Sequence, residues 1–418
     1  MNPTILLASH DAPSSILTPG STLSLIEQAL YLSQQGYHVI FSCPPINTPR
    51  QEVIDLLERN GIKTITIATP PWSQDARYQH AGDSSLDASE AVKDYLGVIH
   101  GHNVDIVLTN TALFPWAAIA AAIAGVPHIW SIHEYASTSF GTDWLSQCYP
   151  FIAASSNLIL ASSTLLKQSI EFTLHTSPAP DDVRIDVVTP WTDVSAIRLS
   201  DDVSCAPRLV CPNSFTPFKN QLELLTAVRC LRDTGRLIDT YFSADQTGDR
   251  EYYEAARRFV DNSGLAPSVS FNKTPGVGNW DRVKSTDIIM HTSTIESFGL
   301  TISETLRLGL PLIVTEEASE PIRLIQPKLI DKRGVYPSGD IQALVRAILT
   351  YVDDSSRIRD RATKMVPLAT SLFSREVCMG ELESAIISVF EEGSPLAHLS
   401  TSQICHLALS DLDEKNNE

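Results

Sequence analysis

The chain has 418 residues, with 43% hydrophobic and 19% charged positions and a formal net charge of −18. That length is too great for one typical core, and that balance is too apolar for a disordered chain, so two globular domains are expected. An acidic field of this size opposes non-specific binding to nucleic acid and does not favour an anionic membrane surface.

Met1 leads almost at once into the strand-like TILLAS of residues 4–9, without a basic or long apolar leader, so no cleaved signal peptide is expected. Helical spacing follows in STLSLIEQALYLSQQG, which stops at Gly36. YHVIFSCP reads as a strand, QEVIDLLERNG as a helix with a glycine stop, and KTITIATP as a strand again. The apolar run 113–126 is too short to cross a bilayer and contains Pro115 and Gly125; it reads as a buried helix. VDIVLTN, HIWSIHE, NLILASS and RIDVVTP complete a series of short β-rich runs. Apolar strands alternating with helices predict a parallel sheet covered on both faces.

After residue 192 the pattern starts over. RLVCPNS, IDTYFSA, SVSFNK, DIIMHTS and PLIVT read as strands, separated by helices such as QLELLTAVRCLRDTG and YYEAARRFVDNSGL. The boundary falls between 192 and 206. We therefore expect an α/β protein with a domain over 1–195, a second over 196–391, and a C-terminal segment, 392–418, holding one helix and a polar tail. Two doubly wound halves in tandem predict a ligand cleft between their carboxyl edges. The seven cysteines (Cys43, Cys148, Cys205, Cys211, Cys230, Cys378 and Cys405) are scattered without C-x-x-C spacing and read as reduced thiols of a cytosolic protein.

Chemistry concentrates in the stretch HTSTIESFGLTISETLRLGLPLIVT, residues 291–315. Gly299 precedes a helix starting at Leu300 or Thr301, whose free N–H groups and positive dipole end suit an anion. Glu304 is expected in its first turn and Glu296 in the loop before it, on opposite sides of such an anion. Thr301-x-x-Glu304 also fits a capping box, in which both side chains merely satisfy the helix end. In the N-terminal half, HDAPSSILTPGSTLSL puts Gly20 just before a Ser21/Thr22 cap, where the backbone can approach a phosphate. His133 ends a strand at the domain edge, and His10 follows the first strand. No D-x-D stands at a strand end (Asp411 and Asp413 lie in the tail), and no H-E-x-x-H, P-loop or G-x-S-x-G occurs, so nothing calls for a metal.

The run Glu296-SFGLTIS-Glu304, followed by TLRLGLPLIVT, resembles the E-x7-E signature of the retaining glycosyltransferases of family 4, which have the GT-B fold of two Rossmann-like domains facing a cleft. NSFTPFKNQLELLTAV is similar to that family's segment around its donor-phosphate lysine, and GVYPSGDIQALVRAI to its late loop and helix. VDIVLTN…GVPHIWSIHE looks like its acceptor-side segment. The resemblance implies that Glu296 contacts the donor sugar and that the backbone of Phe298, Gly299, Leu300 and Thr301 meets the diphosphate. It further implies that Glu304 holds the ribose, that Lys219 neutralises the leaving group, and that His133 lies beside the sugar. Where many members carry a second cation, an arginine, this chain has Ser214. The implied activity is metal-independent transfer of a hexose, with retention, from a donor such as a UDP- or GDP-sugar to a carbohydrate, lipid-linked or protein acceptor. No separate cofactor is implied. The expected place is the cytoplasm, with peripheral contact at the inner face of the membrane left open. A phosphorylase of the same fold, or a weakly catalytic homologue serving as partner or chaperone of another transferase, are the alternatives.

Overall fold

A computed structural model describes residues 2–11, 20–45, 51–70, 72, 87–135, 144–176, 183–200, 206–243, 248–272, 280 and 282–393. The chain forms two compact units, Met1–Trp191 with the segment from Arg375 onward, and Thr192–Ser374.

The first unit is built on seven parallel strands: β1 (Thr4–Ser9), β2 (His38–Cys43), β3 (Lys63–Thr66), β4 (Ile106–Asn110), β5 (His128–Ile132), β6 (Leu158–Ala161) and β7 (Ile185–Val187). They lie in the order β3-β2-β1-β4-β5-β6-β7. Their side chains alternate between two cores, as a sheet covered on both faces requires. In β1, Leu6 and Ala8 join the core of α3 (Ala88–His102) and α4 (Trp116–Ala124), whereas Ile5 and Leu7 join that of α1 (Gly20–Gln34). Helix α4 is the buried apolar helix expected within 113–126, and Gly125 ends it in the left-handed conformation, φ 68°. Helices α2 (Gln51–Arg59), α5 (Trp144–Ala154) and α6 (Thr164–His175) complete the crossovers.

The second unit has six parallel strands: β8 (Leu209–Cys211), β9 (Thr240–Phe242), β10 (Val269–Phe271), β11 (Ile288–His291), β12 (Leu312–Thr315) and β13 (Val335–Tyr336). Their order is β10-β9-β8-β11-β12-β13. Around them lie α7 (Gln221–Asp233), α8 (Arg250–Asn262), α9 (Leu300–Arg307), α10 (Glu316–Ile325), α11 (Ile341–Asp353) and α12 (Ser355–Leu372). In each unit the strand order reverses beside its first strand, between β1 and β4 and between β8 and β11. The carboxyl ends there are the usual ligand position of such sheets.

The sequence places the domain boundary between 192 and 206 and ends the second domain at 391; the structure divides the chain after Trp191, and its second unit ends at Ser374. Helix α13 (Arg375–Glu392) returns to the first unit, where Cys378, Met379, Leu382, Ala385, Ile386 and Val389 fill the core beside α1. Glu383 fixes it further by accepting from the hydroxyls of Tyr31 and Tyr37, each at 3.0 Å. Helical periodicity shows which face of α13 is buried, not which sheet buries it. The helix expected after residue 392 lies outside the described residues, as do Cys205, Cys405, Asp411 and Asp413. Among the described residues, no helix is long and apolar enough to cross a membrane. Cys43, Cys148, Cys211, Cys230 and Cys378 are free thiols.

Leu382 is fully buried. Leu382→Ala should therefore lower the unfolding free energy of the first unit by about 2–5 kcal/mol, read by urea denaturation. A loss below about 1 kcal/mol would mean that α13 is not part of that core.

Candidate active site

In the second unit the loops after β8 and β11 meet and are tied together. Thr294 N–H donates to the Phe218 carbonyl at 2.8 Å, and the Thr292 hydroxyl donates to the Lys219 carbonyl at 2.8 Å. Gln221, at the start of α7, holds the β8 loop by donating to the carbonyls of Asn213 and Ser214 at 3.2 and 2.7 Å. These bonds set Lys219, in the 3-10 turn Pro217–Lys219, against Glu296: its ammonium donates to Glu296 Oε1. The same oxygen accepts from Ser293 Oγ at 3.0 Å and lies 3.3 Å from His291 Nε2. Burial pushes the Glu296 carboxyl up, but the Lys219 charge and its other partners outweigh burial and hold it below the ordinary glutamate value. His291 moves the other way: burial lowers its ring to about 4, against the Glu296 charge, and keeps it neutral.

Helix α9 begins at Leu300 after Gly299, whose φ of 87° and ψ of 67° suit glycine. A Cβ there would stand 2.8 Å from Ile302 Cδ1. The expected capping box does not form. Gly299 occupies the cap position without a side-chain bond, and Thr301 Oγ1 instead meets His291 Nε2 at 3.2 Å. The first N–H groups of α9 thus remain available to an anion. The Phe298 side chain is core, edge-on to Phe373 at 5.9 Å, so only its backbone faces the helix mouth.

Glu304 is the fifth residue of α9, hence in its second turn rather than the first. Its Oε1 accepts from Thr192 Oγ1 at 2.6 Å and its Oε2 from Trp280 Nε1 at 2.9 Å. Burial raises its carboxyl above the ordinary value despite both donors. Two donors use half of the roughly four acceptor positions of a carboxylate, leaving room for ligand hydroxyls.

In the first unit, the ends of β1, β4 and β5 bring together His10, Asn110 and His133. His133 Nε2 lies 3.0 Å from Asn110 Oδ1 and 3.2 Å from Ser131 Oγ. Burial lowers both histidines to about 4, and for His10 the neighbouring His133 adds to the effect. Among the described residues helix α1 runs from Gly20, so Ser21 and Thr22 lie within the helix and not at its cap. Glu134 Oε2 accepts the N–H groups of Ala112 and His133 at 3.1 and 3.2 Å, and burial pushes its carboxyl up to about 7.

The sequence-derived residues thus fall into two groups. Ser214, Lys219, Glu296, Phe298, Gly299, Leu300, Thr301 and Glu304 belong to the second unit; Gly20, His10 and His133 belong to the first. Residues not singled out from the sequence are Asn110, Glu134, Asn213, His291 and Ser293, all just beyond or at strand ends, a position that could have marked them. Thr192 and Trp280 carry no comparable signal, because they reach Glu304 from far along the chain. Among the described residues, no group of three or more His, Cys, Asp or Glu could hold a metal ion.

Glu134 gives a stability test. Its folded value of about 7 exceeds the unfolded 4.5, so its stabilising contribution is complete below 4.5 and is lost as pH rises to about 7. Glu134→Gln keeps an oxygen for the two N–H groups and removes that dependence. Relative to this variant, the native chain should lose on the order of 1–3 kcal/mol between acid and neutral pH in urea unfolding. Parallel stability curves would refute the burial argument. Gly299→Ala should cost about 1–3 kcal/mol through backbone strain, read in the same way.

The model of Glycosyltransferase Family 4 matches residues 20–195, and that of Glycosyl transferases group 1 matches residues 206–366. No curated protein matches the sequence. Among solved structures, HepE of Anabaena in complex with UDP-glucose is similar at a TM-score of 0.70 and 16% identity, over 92% of this chain and 99% of that one. Sucrose-phosphate synthase from Thermosynechococcus elongatus is similar at 0.72 and 14%, over 94% and 100%. A glycosyltransferase from Rickettsia africae is similar at 0.66 and 17%, over 94% and 99%. On the two family matches, which between them take in most of the chain, and on the shared fold, this chain belongs to the glycosyltransferases of the GT-B fold.

Proposed function

We propose that the chain is a family 4 enzyme that moves a hexose from a nucleotide-diphosphate donor to a carbohydrate, lipid-linked or protein acceptor, with retention of configuration and without a metal or cofactor. The observation that carries this reading is the Lys219–Glu296 pair at the free mouth of α9. There the helix N–H groups of Gly299, Leu300 and Thr301 receive the diphosphate, and Lys219 turns from Glu296 to the leaving phosphate as charge builds on it. Glu296 then faces the sugar, and the remaining lone pairs of Glu304 accept the ribose hydroxyls. The bond between the anomeric carbon and the diphosphate oxygen breaks, and the acceptor oxygen bonds on the same face. The leaving oxygen takes the acceptor's proton, so no separate base is required. His133 and the start of α1 at Gly20 serve the sugar and acceptor from the first unit. We place this activity in the cytoplasm, where nucleotide-sugars are the donors, and make a UDP-hexose the first to try, because HepE was crystallised with UDP-glucose.

A panel of UDP, GDP, ADP and dTDP with their sugars tests the donor. The matching nucleotide should raise the melting temperature, by the equivalent of about 2.7 kcal/mol at a hundred times its Kd. Lys219→Ala and Glu296→Ala should each lower turnover ~10²–10³-fold while the chain stays folded. Release of sugar phosphate from a disaccharide and inorganic phosphate would favour a phosphorylase instead. No turnover with any donor would sink the transferase reading and leave the homologue that Ser214, in place of a second cation, would suit.

A further inference from the structure

The Asn110 side chain at the end of β4 has its orientation fixed from outside the histidine it touches. Its Nδ2 donates to the Ser21 carbonyl, 3.3 Å away in the first turn of α1. The two ends of an amide are alike in shape and are distinguished by their partners. A carbonyl only accepts, so the Ser21 contact takes the amide nitrogen and leaves Oδ1 facing His133 Nε2 at 3.0 Å. Oδ1 also only accepts; Nε2 must therefore be the ring nitrogen that carries the proton. The ring itself is neutral, since burial holds it at about 4. The titratable groups around it do not change that. His10 is another neutral ring, and Glu134 turns one carboxylate oxygen, Oε2, to the backbone N–H groups of His133 and Ala112. With Nε2 protonated, the free lone pair belongs to Nδ1.

We propose that Asn110 is a positioning residue that locks His133 in the Nε2–H tautomer, so that the first unit offers Nδ1 as a hydrogen-bond acceptor for a hydroxyl of the sugar substrate. The tautomer follows from the geometry alone, and the use of Nδ1 rests on the transferase reading above. Histidine without this lock would divide its proton between the two nitrogens and present a donor part of the time. A site built to accept from a hydroxyl also discriminates against a sugar that lacks it, because the acceptor, covered by that sugar, would then go unpaired.

The test is nitrogen-15 NMR of the full chain with labelled histidine, the His133 signals being assigned by their loss in His133→Gln. The expected result is the Nε2–H pattern, unchanged across neutral pH. In Asn110→Ala the signals should move toward a mixture of tautomers, with kcat falling about tenfold while the melting shift given by UDP stays as in the native chain. Asn110→Asp, whose carboxylate keeps the Nε2 proton and stabilises the charged ring, should retain the Nε2–H pattern but move the His133 titration upward. An Nδ1–H pattern in the native chain overturns the proposal, and so does an Asn110→Ala variant with unchanged tautomer and unchanged turnover. A native chain that shows the Nε2–H pattern but turns over no donor upholds the lock and overturns the acceptor role together with the transferase reading.

Discussion

Lys219 and Glu296 meet with little water around them: their side chains are 17% and 9% exposed. Removing two charges from solvent costs several kcal/mol each, and their mutual attraction repays that only with good geometry and further hydrogen bonds. Ser293 supplies one such bond, and the tied loops after β8 and β11 supply the geometry. An ion pair of this kind is a weak way to stabilise a fold, since apolar residues of similar volume would do as well or better. In the proposed function its value lies in what each partner can do next. There, an ammonium already stripped of water and set beside an open helix mouth has only to turn from Glu296 to meet an arriving anion, with little solvent left to reorganise.

The rest of the second unit supports that arrangement. Parallel pairing of β8 with β11 places two strand ends side by side, and each end releases a loop that turns into a helix. Gly299 lets the second of these loops turn at φ 87°, so α9 starts with its N–H groups unobstructed. Had the capping box formed, Thr301 would have occupied one of them. Its hydroxyl goes to His291 instead, which links the helix mouth to the carboxylate that His291 also approaches. The first unit repeats the topology with different chemistry: neutral histidines and an amide stand where the second unit has an ion pair.

Much of this was legible in the sequence. Strands such as 4–9 and 288–291 show in the sequence because they are apolar on both faces, and the start of α9 because a glycine precedes a helical run. The spacing of Glu296 and Glu304, with Gly299 between, identified the helix mouth. What the sequence does not show shares a physical cause. The destination of α13, the partners of Glu304 and the contact between Asn110 and Ser21 are all set by tertiary packing between distant segments, and no local period encodes them. The capping box fails because Gly299 takes the cap position, which puts Thr301 inside the helix with its hydroxyl on the buried His291.

Glu304 shows why such partners matter. A carboxylate in the second turn of a helix, without neighbours, would be an ordinary solvated group with free rotation. Thr192 and Trp280 each hold one of its oxygens, so the carboxylate is kept in one orientation before any ligand arrives. Burial opposes its charge and the two donors only partly restore it, so the group gains from each further donor it meets. Ligand hydroxyls are such donors. A pair of them on adjacent carbons, reaching the remaining lone pairs, would complete a coordination that the protein leaves half finished, and would do so without first ordering the side chain.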